Sequence, residues 1–428
     1  MTTAAAPRPL AEDLLEPSEP PRKALGPELR WALFAVTGVA ILSITRVISG
    51  ATDLTSSGLV VETLRLTVPF ALAALGGLFS ERAGVVNIGL EGMMILGTWF
   101  GAYGGWQWGV WGGLAFGMLG GAMGGALHAT ATVIFKVDHI ISGVAINLLA
   151  PGLCRYLSAA IYADAGEGAG VRQSPPVKGD FPTITITPLS DALGSIEDHH
   201  WFFVSDVAGM TRGLVTGLSL FTLGVIVLPP LVWWLLWRTR FGLRLRSVGE
   251  NPWAAESVGI KVMARKFVAV AISGVLAGMA GVFIVTVTTS TYSEGQTGGR
   301  GYIALAALIF GNWRPVAAAG AATLFGYSDA VRLRGSSGVA VHAFLLAGAI
   351  ATGLLTVVAL VQRRWRTAAM TGTVSVGLLI WYLTTDSLPR EFLPYTPHIV
   401  TLVVAATALR KLRMPKALGQ PFHKGEAH

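Results

Sequence analysis

Apolar residues fall in long runs separated by short polar or basic stretches, and most runs approach the roughly 20 residues an α-helix needs to cross a bilayer. About twelve are present: Trp31–Ser49, Leu59–Phe79, Asn87–Gly105, Gly109–Phe135, His139–Tyr162, Leu214–Trp237, Phe267–Thr288, Tyr302–Gly311, Pro315–Val331, Val341–Val361, Ala368–Leu383 and Thr396–Leu409. They predict an all-α fold, a polytopic transmembrane helical bundle. Tyr302–Gly311 is too short to cross alone and reads as a re-entrant or broken helix, which needs protein rather than lipid around its loose backbone. Residues 1–30 open with the Ala- and Pro-rich stretch Met1–Gly26. It carries Glu12, Asp13, Glu16 and Glu19 where a secretory signal would place basic residues, so it reads as a disordered cytoplasmic tail.

Composition agrees with this pattern. Of 428 residues, 52% are hydrophobic and 13% charged, against about 25% charged in soluble domains. The 53 glycines suit transmembrane helices that approach closely, and the run Gly120–Gly125 reads as packing rather than phosphate binding. The single cysteine, Cys154, rules out an intrachain disulfide and a Cys-based zinc site. A net charge of +8 would suggest nucleic acid in a soluble chain, but here it reflects basic loops held on the cytoplasmic side. Arg238, Arg240, Arg244, Arg246, Lys261, Arg265 and Lys266 mark the loop 238–266 as cytoplasmic. Alternation then puts both termini inside and the acidic loop 163–213 outside. Arg332 and Arg334 fall outside against the rule.

The densest polar signal is SERAGVVNIGLEGMMILG, Ser80–Gly97. Glu81 and Arg82 sit at a span boundary and read as a headgroup-level ion pair. Asn87 and Glu91 lie deeper and, on a helix, would share one face; a path-lining or gating role and helix-to-helix hydrogen bonding both fit them. In the cytoplasmic loop, Pro252 opens a short helix, Ala254, Ala255 and Glu256 extend it, and Gly259 stops it. Such a surface helix, with small alanines on one face, fits a groove in a soluble partner or an anionic lipid surface. Trp99, Trp106, Trp108 and Trp111 read as interfacial aromatics rather than a base-stacking box. His199 and His200 beside Glu197 and Asp198 read as a solvated loop, since adjacent residues rarely converge on one ion. No metal site or cofactor is expected. No GxxxxGK[ST] motif occurs, so the chain is not expected to bind ATP itself.

Ser80–Gly97 resembles the signature stretch of permease subunits of ABC importers for nucleosides and simple sugars, those that work with a basic-membrane-protein-type binding lipoprotein. DHIISGVAINLLA (Asp138–Ala150, with Asn147 at its middle), Phe241–Ile260, Gly298–Val316 and Pro394–Phe422 are similar to further stretches of that family. The resemblance implies a type II ABC importer permease-like bundle: a core at 31–334, a last helix and tail at 391–428, and ten family spans in all. The segment 335–390, which adds about two C-terminal spans, departs from the family pattern. It also implies that Gly249, Glu250, Asn251, Pro252, Ala254, Ala255, Glu256 and Gly259 form the coupling helix that seats in the ATPase, while Asn87, Glu91 and Asn147 line or gate the translocation path.

The chain is thus expected to be one permease subunit of an ATP-driven importer in the cytoplasmic (inner) membrane, moving a nucleoside or simple sugar by alternating access. It would be a transport subunit rather than an enzyme. Its expected partners are ATP-binding cassette ATPase subunits, a second and related permease chain, an extracytoplasmic substrate-binding lipoprotein and membrane lipid, with no nucleic acid. The competing reading is a secondary transporter driven by an ion gradient, with Glu91 as the proton carrier.

Overall fold

A computed structural model describes residues 27–166, 168–334, 339–386, 412–423 and 425. The chain is a multi-pass helical membrane protein. Among the described residues seven helices are long and apolar enough to span a membrane. The described chain opens with α1 (Pro27–Ser49), whose apolar part, Ala35–Ser49, is shorter than a span; α2 (Ser57–Arg82) and α3 (Leu90–Ala129) are the first two of the seven. α3 is a hairpin of two limbs, because Gly109 adopts φ 75° and ψ −178° between them. Only glycine takes that conformation without strain. The two limbs correspond to the two expected runs, Asn87–Gly105 and Gly109–Phe135.

The second limb continues through a π-helical turn, Thr130–Ile134, to α4 (His139–Ile161). Asp138 caps α4 by accepting from the amides of Ile140 (2.8 Å) and Ile141 (3.1 Å). The expected external loop is not merely solvated chain. It contains two short helices, α5 (Thr187–Glu197) and α6 (Val204–Gly213), and a two-stranded ribbon in which β1 (Thr183–Ile184) pairs antiparallel with β2 (Leu218–Ser219), Thr183 opposite Ser219. The ribbon takes the first residues expected in the span Leu214–Trp237. α7 (Leu220–Arg238) starts only where Ser219 accepts from Thr222 N at 3.1 Å.

Two short helices follow, α8 (Arg240–Glu250) and α9 (Pro252–Ser257), then α10 (Val262–Phe283) with its π-helical end Ile284–Thr288. α10 is the central packing element and touches both limbs of α3 through glycine. A Cβ on Gly121 would lie 2.2 Å from Gly274 O, one on Gly278 2.4 Å from Gly117 O, and one on Gly281 2.3 Å from Met94 O. Backbones meet there because no side chain intervenes, which replaces the hydrophobic driving force that lipid cannot supply.

α11 (Arg300–Phe310) is short, as expected, and its 11 residues rise only about 16 Å, roughly half a bilayer core. α12 (Pro315–Arg334) packs along α2, where a Cβ on Gly326 would strike Thr67 Oγ1. The segment 335–390 contains two span-length helices, α13 (Val339–Val361) and α14 (Trp365–Thr384), joined by Ser375 Oγ donating to Ala349 O at 2.7 Å. The expected last helix, Thr396–Leu409, lies outside the described residues.

Candidate functional site

The polar residues of Ser80–Gly97 converge on a break in the bundle. α2 ends at Arg82, and Gly84 takes φ +84°, so its amide turns back to Glu81 O (2.9 Å) while Val85 N reaches Ser80 O (3.1 Å). Irregular backbone then runs to Gly89, and side chains from α3 and α4 satisfy it. His128 on α3 meets Val86 O at 3.0 Å and Ser142 Oγ at 2.9 Å. Val86 N reaches His139 Nδ1 at 3.3 Å. Asn147 on α4 donates to Ile88 O (3.0 Å) and accepts from Gly92 N (2.7 Å), bridging both sides of the break. Such pairing is what allows non-helical backbone inside a membrane bundle.

Glu91, in the first turn of α3, faces the start of the half-length helix. Its carboxylate accepts from Thr297 Oγ1 (2.7 Å), Gly299 N (3.0 Å) and Gly301 N (2.6 Å), so it caps α11 at its positive end. A Cβ on Gly301 would lie 2.6 Å from Glu91 N and Cα, so glycine is required for that approach. Asn87 lies in the break rather than on α3, and it does not share a helical face with Glu91. The expected shared face fails because Gly89 caps α3 two residues after Asn87. Asn87 is fully buried and donates to Ser273 Oγ on α10 at 2.8 Å, while its Oδ1 has no hydrogen-bond partner among the described residues.

Glu81 and Arg82 are not a headgroup pair. Glu81 is buried and accepts from Trp313 Nε1 at 2.5 Å, while Arg82 Nη2 and Nε donate to Trp313 O at 2.6 and 3.0 Å. Both find their partner in Trp313, in the turn between α11 and α12, rather than in each other. Arg82 and Arg246 also approach the Trp237 ring, at 5.2 and 5.3 Å from its centroid.

Of the segment Gly249–Gly259, the expected short helix takes only Pro252–Ser257, while Gly249 and Glu250 end α8. Asn251 caps α9 by accepting from Ala254 N at 2.9 Å, Pro252 occupies its first turn, and Gly259 leaves with φ +81°. Its two alanines do not share a face. Ala255 is buried against Val248, Val262 and Phe422, whereas Ala254 and Glu250 are exposed and Val258 is 75% exposed. A docking partner would meet Ala254 and Val258, not Ala255. Gly249 is buried, and a Cβ there would lie 2.1 Å from Arg82 O.

Residues 412–422 stitch this helix to the break, a connection the sequence reading missed. Ala417 N donates to Gly249 O (2.9 Å), Gly419 N to Gly84 O (3.2 Å) and Arg413 N to Asn312 Oδ1 (2.6 Å). A further polar residue, not among those expected from the sequence, is Asp329, buried on α12, which binds Arg332 at 2.7 Å and Arg300 at 3.4 Å. An acid inside an apolar run was the available signal. The charge of Arg332, which the expected orientation would put on the outer side, is thus paired. Glu197 is likewise engaged, by Ser57 N (2.8 Å) and Arg212 (3.1 Å). Trp99 is buried and stacks on Tyr103, while Trp108 and Trp111 are exposed.

A model of the permease component of branched-chain amino acid transport systems matches residues 59–337. The chain is 38% identical to the guanosine ABC transporter permease protein NupQ of Bacillus subtilis, over 86% of this chain and 97% of that one. It is 33% identical to the nucleoside ABC transporter permease protein NupC of Lactococcus lactis, over the same shares. The putative glucose ABC transporter permease protein TsgC13 of Haloferax volcanii is 32% identical over 66% of this chain and 79% of its own length. No solved structure matches.

Proposed function

This chain belongs to the membrane permease family of ABC transport systems, and from that membership we propose that it is one half of the translocation unit of an importer for nucleosides. Members of the family are transport subunits rather than enzymes, and they work with ATPase and substrate-binding partners. The observation that carries the nucleoside reading is the near full-length similarity to two permeases named for guanosine and nucleoside transport. The second permease would be a related chain and the binding protein a lipoprotein on the outer face. The membrane would be the inner one, with both termini cytoplasmic, as the basic loop 238–266 favours.

In this reading Gly249–Gly259 meets the ATPase. The tail at 412–422 lies hydrogen-bonded to both that segment and the break at 83–89, so displacement of one loads the other. Asn87, Glu91 and Asn147 gather where α3, α4, α10 and α11 meet, and they would gate the path by holding or releasing the end of the half-length helix. Glu91 accepts three hydrogen bonds, which favours a fixed acceptor over a proton carrier and so favours ATP-driven transport over ion coupling. Uptake of radiolabelled guanosine by cells expressing the complete transporter tests the reading. Uptake that survives collapse of the ion gradient and stops on ATP depletion is the expected result; the reverse would refute it.

A further inference from the structure

Away from the break, a cleft with a mixed polar and apolar lining opens between the N-terminal part of α2 and the first turn of α7, walled by the β1–β2 ribbon and floored by the π-helical end of α10. Its volume is about 580 Å³, within the roughly 300–1,000 Å³ of small-molecule sites. It lies at the end of the bundle that carries α5 and α6, opposite α8 and α9. Arg65 is the informative residue. It stands eight residues inside α2, about 12 Å of axial rise from the helix start. Yet its side chain is 44% exposed, and its nearest carboxylate, Glu62, is 3.9 Å away. A weakly paired cation within a span-length apolar helix is tolerated where it faces water or a polar solute rather than lipid.

The other walls complement it. Asp180 brings a carboxylate, Thr183, Thr222 and Thr286 are hydroxyl-bearing residues, and Phe181 supplies an apolar patch. Hydroxyl-bearing residues, two ionised side chains and the Phe181 ring in one cleft can hydrogen-bond and pack against a solute that carries hydroxyls and a flat ring. We propose that this cleft is the receiving site for nucleosides in the permease, with Arg65 and Asp180 as its polar contacts, and that solute passes from it toward the break. The inference rests on the transport reading above.

The test uses the complete transporter in membranes. Thr183→Cys places a thiol on the cleft wall, against a background in which the native Cys154 is fully buried. Uridine, chosen for its solubility, should slow modification of that thiol by an impermeant reagent several-fold, while glucose and leucine should not. Arg65→Ala should lower the maximal uptake rate roughly tenfold, the effect of losing one hydrogen bond to a charged group. Arg65→Lys should recover part of it, and KM should change little, because a separate binding protein captures the solute first. Labelling at Ser195→Cys reports whether each variant is inserted. If the wild type imports nucleosides but uridine gives no protection and Arg65→Ala transports normally, the cleft assignment is wrong and the transport reading stands. Protection by glucose or leucine in place of uridine overturns the solute class. A wild type that imports no nucleoside removes both.

Discussion

Glu91 Oε2 accepts the backbone amide of Gly301 at 2.6 Å, tying the first turn of α3 to the first turn of α11 across 210 positions of sequence. A helix that ends inside the bundle leaves its first amides without partners, and this carboxylate fills them. Glu91→Gln should therefore weaken the protein, because an amide offers one acceptor oxygen where the carboxylate offers two. Glu91→Leu should weaken it further, since each donor left unsatisfied costs about 1–3 kcal/mol. Thermal unfolding of the detergent-solubilised transporter should rank wild type above Gln above Leu. A Gln variant with wild-type stability but no uptake would instead support a proton-carrying role.

The contact between α10 and the α3 hairpin should be intolerant of side chains. Gly278→Val places methyl groups where Gly117 O would already lie 2.4 Å from a Cβ, and overpacking of this kind costs about 1–3 kcal/mol. Gly377→Ala on α14 meets nothing within 4 Å and serves as the control. Size-exclusion profiles should show loss of monodisperse protein for the first variant and none for the second.

Coupling to the ATPase is expected to depend on the exposed side of α9. Ala254→Trp or Val258→Asp should leave the permease inserted while abolishing substrate-stimulated ATP hydrolysis. Ala255→Trp should lower stability, because Ala255 packs against Val248 and Phe422. Normal stimulated hydrolysis in both of the first variants would remove Gly249–Gly259 from the ATPase contact.

The direction of insertion can be read chemically. Ser195 and Ser257 are both exposed, on opposite ends of the bundle, whereas Ser174 is buried and would label poorly whichever way the protein inserts. An impermeant thiol reagent added outside intact cells should modify Ser195→Cys and spare Ser257→Cys. Labelling of the second would invert the proposed orientation.

Much of this protein is legible without coordinates. Lipid demands long apolar runs with internally satisfied backbones, and that demand is local, so the positions of α1, α2, α4, α10 and α12 to α14 can be read from hydropathy within a few residues. The shortness of α11 and the cap–proline–glycine order of α9 are local in the same sense. Glycine-rich packing at Gly121 and Gly125 follows from residue size. Partnership is not local. Glu81 sits beside Arg82 in sequence but binds Trp313; Glu91 shares a sequence stretch with Asn87 but binds α11; and Ala254 and Ala255 are neighbours that face opposite ways. Polar groups inside a bundle go wherever an unsatisfied partner lies within about 3 Å, and only the packing of distant helices decides which partner that is.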